Sequence, residues 1–215
     1  MRKILMLCSI AFMISCSNDT ETTSAPQNQE NVTTTTAARP LPPIENATDA
    51  MFHAYVTSAN YELSQSLMDQ FVDDLNLTET VHFSNRGQLL SWIGSNLSST
   101  NFVSVDQADL RWAEIETVNQ NLAIEFSNVF DFIASGEISS VKYYLGKWLN
   151  YYETFGDPCY PGYRNCTDAA DAQFIADVQN EKSLGGNDYS CADTNHKVAM
   201  KLCDMKLADC HKKNQ

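Results

Sequence analysis

From residue 48 onward the apolar positions recur every three or four residues, the period of helices buried on one face. Phe52, Val56, Ala59, Leu63, Leu67, Phe71 and Leu75 form one stripe and predict a single long helix. Ser84 can cap a second helix, on which Leu89, Ile93 and Leu97 share a face with Trp92 and Leu90 beside them. Ser104-Val105-Asp106-Gln107 has the capping-box pattern and opens a third helix. On it Ala108, Trp112, Ile115, Asn119, Leu122, Phe126, Val129 and Ile133 alternate steps of four and three, and Gly136 supplies the stop. Ile138, Val141, Leu145, Trp148 and Tyr152 make a fourth stripe, ended by Gly156-Asp157-Pro158. No window alternates with period two, and the connections are short. The expected fold is therefore all-α: an antiparallel bundle of about four helices over residues 47–157. Asn119 is polar on an apolar seam and reads as a hydrogen-bonded core residue that sets register, ahead of a ligand contact.

Beyond Pro158 a second pattern begins. Thr167 can cap a helix running to about Lys182, Gly185-Gly186-Asn187-Asp188 turns the chain, and Cys191 or Asp193 opens a last helix to about His211. Residues 158–215 thus predict a helical hairpin packed on the bundle and stapled by disulfides. Charge separates the two parts. Residues 45–157 carry four basic side chains against sixteen acids, whereas residues 158–215 carry seven against eight.

The N-terminus reads as a targeting segment. Arg2 and Lys3 precede an apolar run from Ile4 to Ile14, which as a helix spans about 16 Å, short of the ~30 Å hydrocarbon core. Residues 1–15 are therefore expected to be an export signal and not a spanning helix. Ile14-Ser15-Cys16 resembles the lipobox of bacterial lipoproteins, with Met13 where that family usually has Leu. The resemblance implies cleavage before Cys16, a diacylglycerol on its thiol and an acyl chain such as palmitate on its amine. Ser17 follows where Asp would signal inner-membrane retention, which implies the outer membrane, on its periplasmic or cell-surface face. Asp19 and Glu21 resemble, more thinly, the surface-export signals of Bacteroidota lipoproteins. Residues 16–46 hold almost no large apolar side chain and predict a lipidated, disordered tether, about 30 Å in r.m.s. reach.

The whole chain of 215 residues has a formal net charge of -13, and loss of Arg2 and Lys3 leaves 12 basic against 27 acidic side chains. That charge argues against nucleic acid as a partner. Contact with a membrane is expected through the N-terminal lipid alone.

Of seven cysteines, Cys8 leaves with the signal and Cys16 is the lipidation site, so five remain. An exported chain meets an oxidising compartment, where disulfides form. Cys203 and Cys210 lie two turns apart on one helix, about 10.5 Å between Cα atoms, beyond the roughly 7 Å a disulfide tolerates. Antiparallel geometry favours joining Cys159 and Cys166 to Cys203 and Cys210, leaving Cys191 unpaired. A local Cys159–Cys166 bond is the rival, since Pro161-Gly162 can turn the chain back. Cys191 near a helix start is expected to have a lowered pKa, opposed by Asp193. It is either a buried free thiol or the bond of a disulfide-linked dimer. Because the bundle has its own apolar stripes, reduction is expected to melt residues 158–215 first.

No catalytic residue, metal site or cofactor is expected. There is no C-x-x-C, and no G-x-S-x-G, H-E-x-x-H, Walker A or dinucleotide fingerprint. His53, His82, His196 and His211 are scattered and read as surface or boundary residues. Asp73-Asp74 and Glu114-x-Glu116 point apart on helices. Aromatic side chains crowd residues 143–163, and Trp148 and Tyr152 continue the core stripe. Cys159-Tyr160-Pro161-Gly162-Tyr163-Arg164-Asn165-Cys166 reads as a short loop closed by cysteines. Tyr160, Tyr163 and Arg164 are its binding candidates for a protein or glycan surface, the alternative being that both rings cover the joint of hairpin and bundle. The reading as a whole is a lipid-anchored cell-envelope interaction module. An inhibitor or immunity-type protein is its narrower form, and an all-α envelope hydrolase is the rival.

Overall fold

The first four α-helices begin where a short polar side chain takes one of the first unpaired backbone N–H groups. In the computed structural model, which describes residues 41–149 and 157–214, Asn46 accepts from Asp49 N and opens α1, Ala47–Val56. Ser58 accepts from Tyr61 N and opens α2, Ala59–Leu75, which closes on Asn76 in the left-handed region (φ 52°). Asn85, one residue after Ser84, caps α3, Arg86–Asn96, which runs on as one 3-10 turn, Leu97–Ser99. Ser104 accepts from Gln107 N and opens α4, Val105–Glu125. Then follow α5, Ser127–Ser135, closed by Gly136, and α6, Ile138–Trp148. The C-terminal pair is α7, Tyr160–Ser183, and α8, Ser190–Lys213, joined through Gly185 at φ 77°. Among the described residues there is no strand, so the all-α class stands.

Two of the four expected bundle helices are broken. The stripe from Phe52 to Leu75 is cut at Thr57–Ser58. Thr57 Oγ1 donates to His53 O at 2.7 Å and Ser58 Oγ to Tyr55 O at 2.9 Å, so two hydroxyls satisfy carbonyls at the end of α1. The restart turns the buried face. Ser64 and Met68 point inward, and Leu63, expected in the core, is 46% exposed. The stripe from Ala108 to Ile133 breaks at Phe126 (φ -116°, ψ 41°), yet Val129 and Ile133 beyond the break are buried.

The helices close around two apolar cores. One gathers Phe52, Leu122, Val129, Ile133, Val141 and Leu145 with Phe174 and Val178 of α7. The other gathers Phe71, Leu75, Leu89, Ile93, Trp112 and Ile115 with Val198 and Leu202 of α8. Helices α4 and α8 feed both cores, and a small third cluster surrounds Cys159, Tyr163, Cys203 and Leu207. The hairpin is thus woven into the bundle. The charge difference between the two parts resolves into ion pairs: Lys197 with Asp69 at 2.8 Å, Lys201 with Asp73 and Lys182 with Asp131, both at 2.5 Å. These pairs are partly exposed and each contributes under about 1 kcal/mol, so they orient more than they stabilise.

Two disulfides join α7 to α8: Cys159–Cys210 and Cys166–Cys203, with Cα separations of 5.9 and 5.7 Å. The two cysteines on each arm of the hairpin are seven residues apart, so an antiparallel helix pair matches them one to one, and the local Cys159–Cys166 bond is excluded. Such bonds point to an oxidising, extracytoplasmic compartment.

The shared cores also revise the expectation that reduction melts the hairpin alone. Each bond contributes about 2–4 kcal/mol. Their loss is expected to move one cooperative urea transition to lower concentration. Fluorescence of Trp112 and Trp148, each in a different core, should shift together with the helical signal. Tryptophan midpoints unchanged by reductant would show that the hairpin melts separately.

Candidate functional site

Cys16 and the whole of residues 1–40 lie outside the described residues, as do residues 150–156 with Tyr151, Tyr152 and Phe155. No described helix is long and apolar enough to cross a membrane.

The expected binding loop is not a loop. Residues 160–166 are the first turns of α7, with Pro161 at its start, where a missing N–H costs nothing. Tyr163 is buried against Cys159, Cys203 and Leu207, and its hydroxyl donates to Asp204 Oδ1 at 3.0 Å. Tyr160 is half-buried against the same cluster, while Arg164 is exposed, 3.9 Å from Asp168. Of the three candidates Tyr163 is turned inward, while Tyr160 and Arg164, one helical turn apart, keep exposed surface. Both rings pack inside the hairpin, against the cluster of Cys159, Cys203 and Leu207. Pro161-Gly162 suggested a turn, but Pro also suits a first helical turn, and the two staples hold that helix in register.

Cys191 is unpaired and half-buried against the second core. Its expected low pKa is reversed: burial first, then the carboxylates of Asp188, Glu116, Glu181 and Asp177, push the thiol up to about 12. Since the thiolate is the nucleophile, alkylation of native protein by iodoacetamide at pH 8 is expected to be at least about tenfold slower than in urea. Equal rates would show an accessible, reactive thiol.

A polar chain crosses the interior between the cores. Ser64 Oγ donates to Asn119 Oδ1 at 2.5 Å, and Asn119 Nδ2 donates to Asp193 Oδ2 at 3.3 Å. Asn119 thus serves the register role, tying α2, α4 and α8 together. Asp193 is desolvated there, which with the nearby Asp188 lifts its carboxyl to about 7 against the pull of Lys197. Its charge in turn helps raise the hydroxyls of Tyr55 and Tyr61, after burial.

An open depression lies where α4, α5, α7 and the hairpin turn meet. It encloses about 380 Å³ and is lined by Ala123, Ile124, Ser127, Phe130, Lys182, Asn187 and Tyr189. Phe130 and Tyr189 stack beneath it, with centroids 4.5 Å apart and planes 6° from parallel. Ile124 and Leu184 are 67% and 75% exposed. Lys182 brings a cation held by Asp131, and Asn187 an amide. An apolar floor with a few polar groups at the rim suits binding of a complementary surface. The chain order hides this site, because its two halves are some fifty residues apart.

No protein-family model, curated protein or solved structure matches this chain.

Proposed function

We propose that this chain is an exported lipoprotein, anchored by lipid on Cys16, whose helical domain acts as a binding module at the cell envelope. The anchor reading is supported by Ile14-Ser15-Cys16 at the end of a short apolar run. It agrees with the two disulfides, which require an oxidising compartment. Ser17 favours the outer membrane as the destination. The observation that carries the binding reading is the open depression above the stacked Phe130 and Tyr189. A protein or glycan surface is the partner class, and an inhibitor or immunity-type role is a narrower form of the same activity.

Cys16→Ala is expected to move the protein from the membrane fraction to the soluble envelope fraction. Retention in the outer membrane by the variant, in cells and after salt washing, would sink the lipid anchor. For the module, the mature domain is tested with purified envelope glycans and proteins. Saturable binding without turnover, weakened at least tenfold by Ile124→Asp, is the expected result. Turnover of an envelope polymer, lost on removing one carboxylate, would establish the rival hydrolase.

A further inference from the structure

The two ends of the hairpin bring four metal-ligating side chains to one place. Asp157 lies just before α7, Cys159 is the residue that precedes its first turn, and Cys210 and His211 are in the last turns of α8. A carboxylate oxygen of Asp157, the Cys159 sulfur and a ring nitrogen of His211 lie within 4.8 Å of one another. Cys210 completes the set, since its sulfur is bonded to that of Cys159. Among the described residues no other three His, Cys, Asp or Glu side chains are grouped in this way.

The surroundings orient these groups. Cys159 N donates to Asp157 Oδ1 at 2.8 Å, which leaves Oδ2 facing His211 Nε2 at 2.6 Å. Asn214 Nδ2 donates to both sulfurs at 3.4 Å and to Cys210 O at 2.9 Å. Outer partners of this kind fix the direction of ligand lone pairs. Cys159 is buried, whereas the His211 side chain is 40% exposed and gives an entry path from solvent.

We propose that the dithiol form of the Cys159–Cys210 pair, with Asp157 and His211, is a four-ligand site for a zinc(II) ion. Tetrahedral zinc has bonds of about 2.3 Å to sulfur and about 2.0 Å to nitrogen and oxygen. Its ligand atoms therefore stand roughly 3.2–3.8 Å apart. Once the S–S bond is cleaved, the two sulfurs reach that spacing by side-chain rotation, with their Cα atoms 5.9 Å apart. Asp157 and His211 need to separate by under about 1 Å from their present hydrogen bond to admit the ion. The disulfide and the metal are thus alternative closures of the same end of the hairpin.

The chemistry balances with a reductant of the dithiol or phosphine class. A dithiol gives two electrons and two protons to the disulfide and closes its own S–S bond. A phosphine does the same by taking oxygen from water and leaving as the phosphine oxide. Zinc then displaces the two thiol protons to form two Zn–S bonds. Sulfur with imidazole and one carboxylate suits zinc, and excludes calcium and magnesium, which take oxygen.

The test uses the purified chain, oxidised or reduced with a phosphine under argon, titrated with zinc against a chelator. The reduced chain is expected to bind one zinc tightly, and the oxidised chain none. Cobalt(II) in its place should show sulfur-to-metal absorption. His211→Ala and Asp157→Asn leave both disulfides in place during purification, so their folding is checked by helical signal before reduction. Each should weaken zinc by at least about tenfold. The Cys166→Ala/Cys203→Ala double variant should retain zinc, and Cys159→Ser/Cys210→Ser should lose it. The proposal is overturned if reduced wild type takes up no zinc. It is equally overturned if His211→Ala and Asp157→Asn leave the affinity unchanged, or if zinc follows the Cys166–Cys203 pair. A reduced chain that unfolds and does not regain helicity with zinc also overturns it.

Discussion

Asp49→Ala is expected to cost about 3–5 kcal/mol of stability, because it leaves the buried Trp148 Nε1 without its acceptor and Lys147 with only the exposed Glu45, at 3.5 Å. Asp49 is fully buried in α1 and accepts from Lys147 Nζ at 2.8 Å, Trp148 Nε1 at 3.0 Å and Glu45 N at 3.0 Å. Lys147 is itself only 10% exposed. Burial pushes the Asp49 carboxyl up, but the Lys147 and Trp148 hydrogen bonds, the backbone of Glu45 and the lysine charge together hold it below its ordinary 3.8. The sign follows from that direction. The native carboxylate binds its proton less readily than the unfolded one, so its contribution is present above the unfolded pKa and is lost as pH falls through the lower folded value. Against a total of about 5–15 kcal/mol for a typical domain, a loss of this size is a large fraction. Asp49→Asn keeps one acceptor and should lose less. Asp49→Leu with Lys147→Met, which removes both charges, should recover part of the loss. Urea unfolding at pH 7 measures all three, and a loss under about 1 kcal/mol for Asp49→Ala would show the pair to be solvated.

The opposite pH dependence is expected from Asp193. Its native carboxyl is raised to about 7, so the folded chain holds a proton there that the unfolded chain releases near pH 4. Stability from this group is therefore highest below pH 4, falls as pH rises to 7, and is flat above, a total of up to about 4 kcal/mol. Asp188 and Lys197 from the hairpin, Asn119 from α4 and the hydroxyls of Tyr55 and Tyr61 surround it. Asp193→Asn keeps an oxygen for Asn119 and removes the ionisation. The variant should match wild type near pH 3 and exceed it by about 2–4 kcal/mol at pH 8. Equal differences at both pH values would show that the carboxyl is not held neutral by the fold.

What could be read in the sequence was whatever acts within one or two turns of chain. The capping of α4 by Ser104, the stop at Gly136 and the turn at 185–188 appear where their residue types demand. The charge contrast between bundle and hairpin was equally legible, and so was the exclusion of a Cys203–Cys210 bond, which rests on helical rise alone. In the depression, by contrast, no stretch of sequence carries a signal, because Phe130 and Tyr189 meet only through the crossing of α5 with the hairpin.

The tertiary structure decided the rest, for a consistent reason. A cap or turn preference amounts to about 1 kcal/mol, while burying a large side chain contributes about 1.5–3 kcal/mol. Long-range packing therefore chooses among local conformations that the chain alone leaves close in energy. It turned Met68 inward in place of Leu63 after the break at Thr57–Ser58. It drew the Pro161-Gly162 segment into α7 and put Tyr163 inside the hairpin. It also desolvated Cys191, so that burial outweighs any helix-start effect on its thiol. Asp157 and Cys159 lie some fifty residues from Cys210 and His211, and only the antiparallel closure of α7 on α8 makes one group of them.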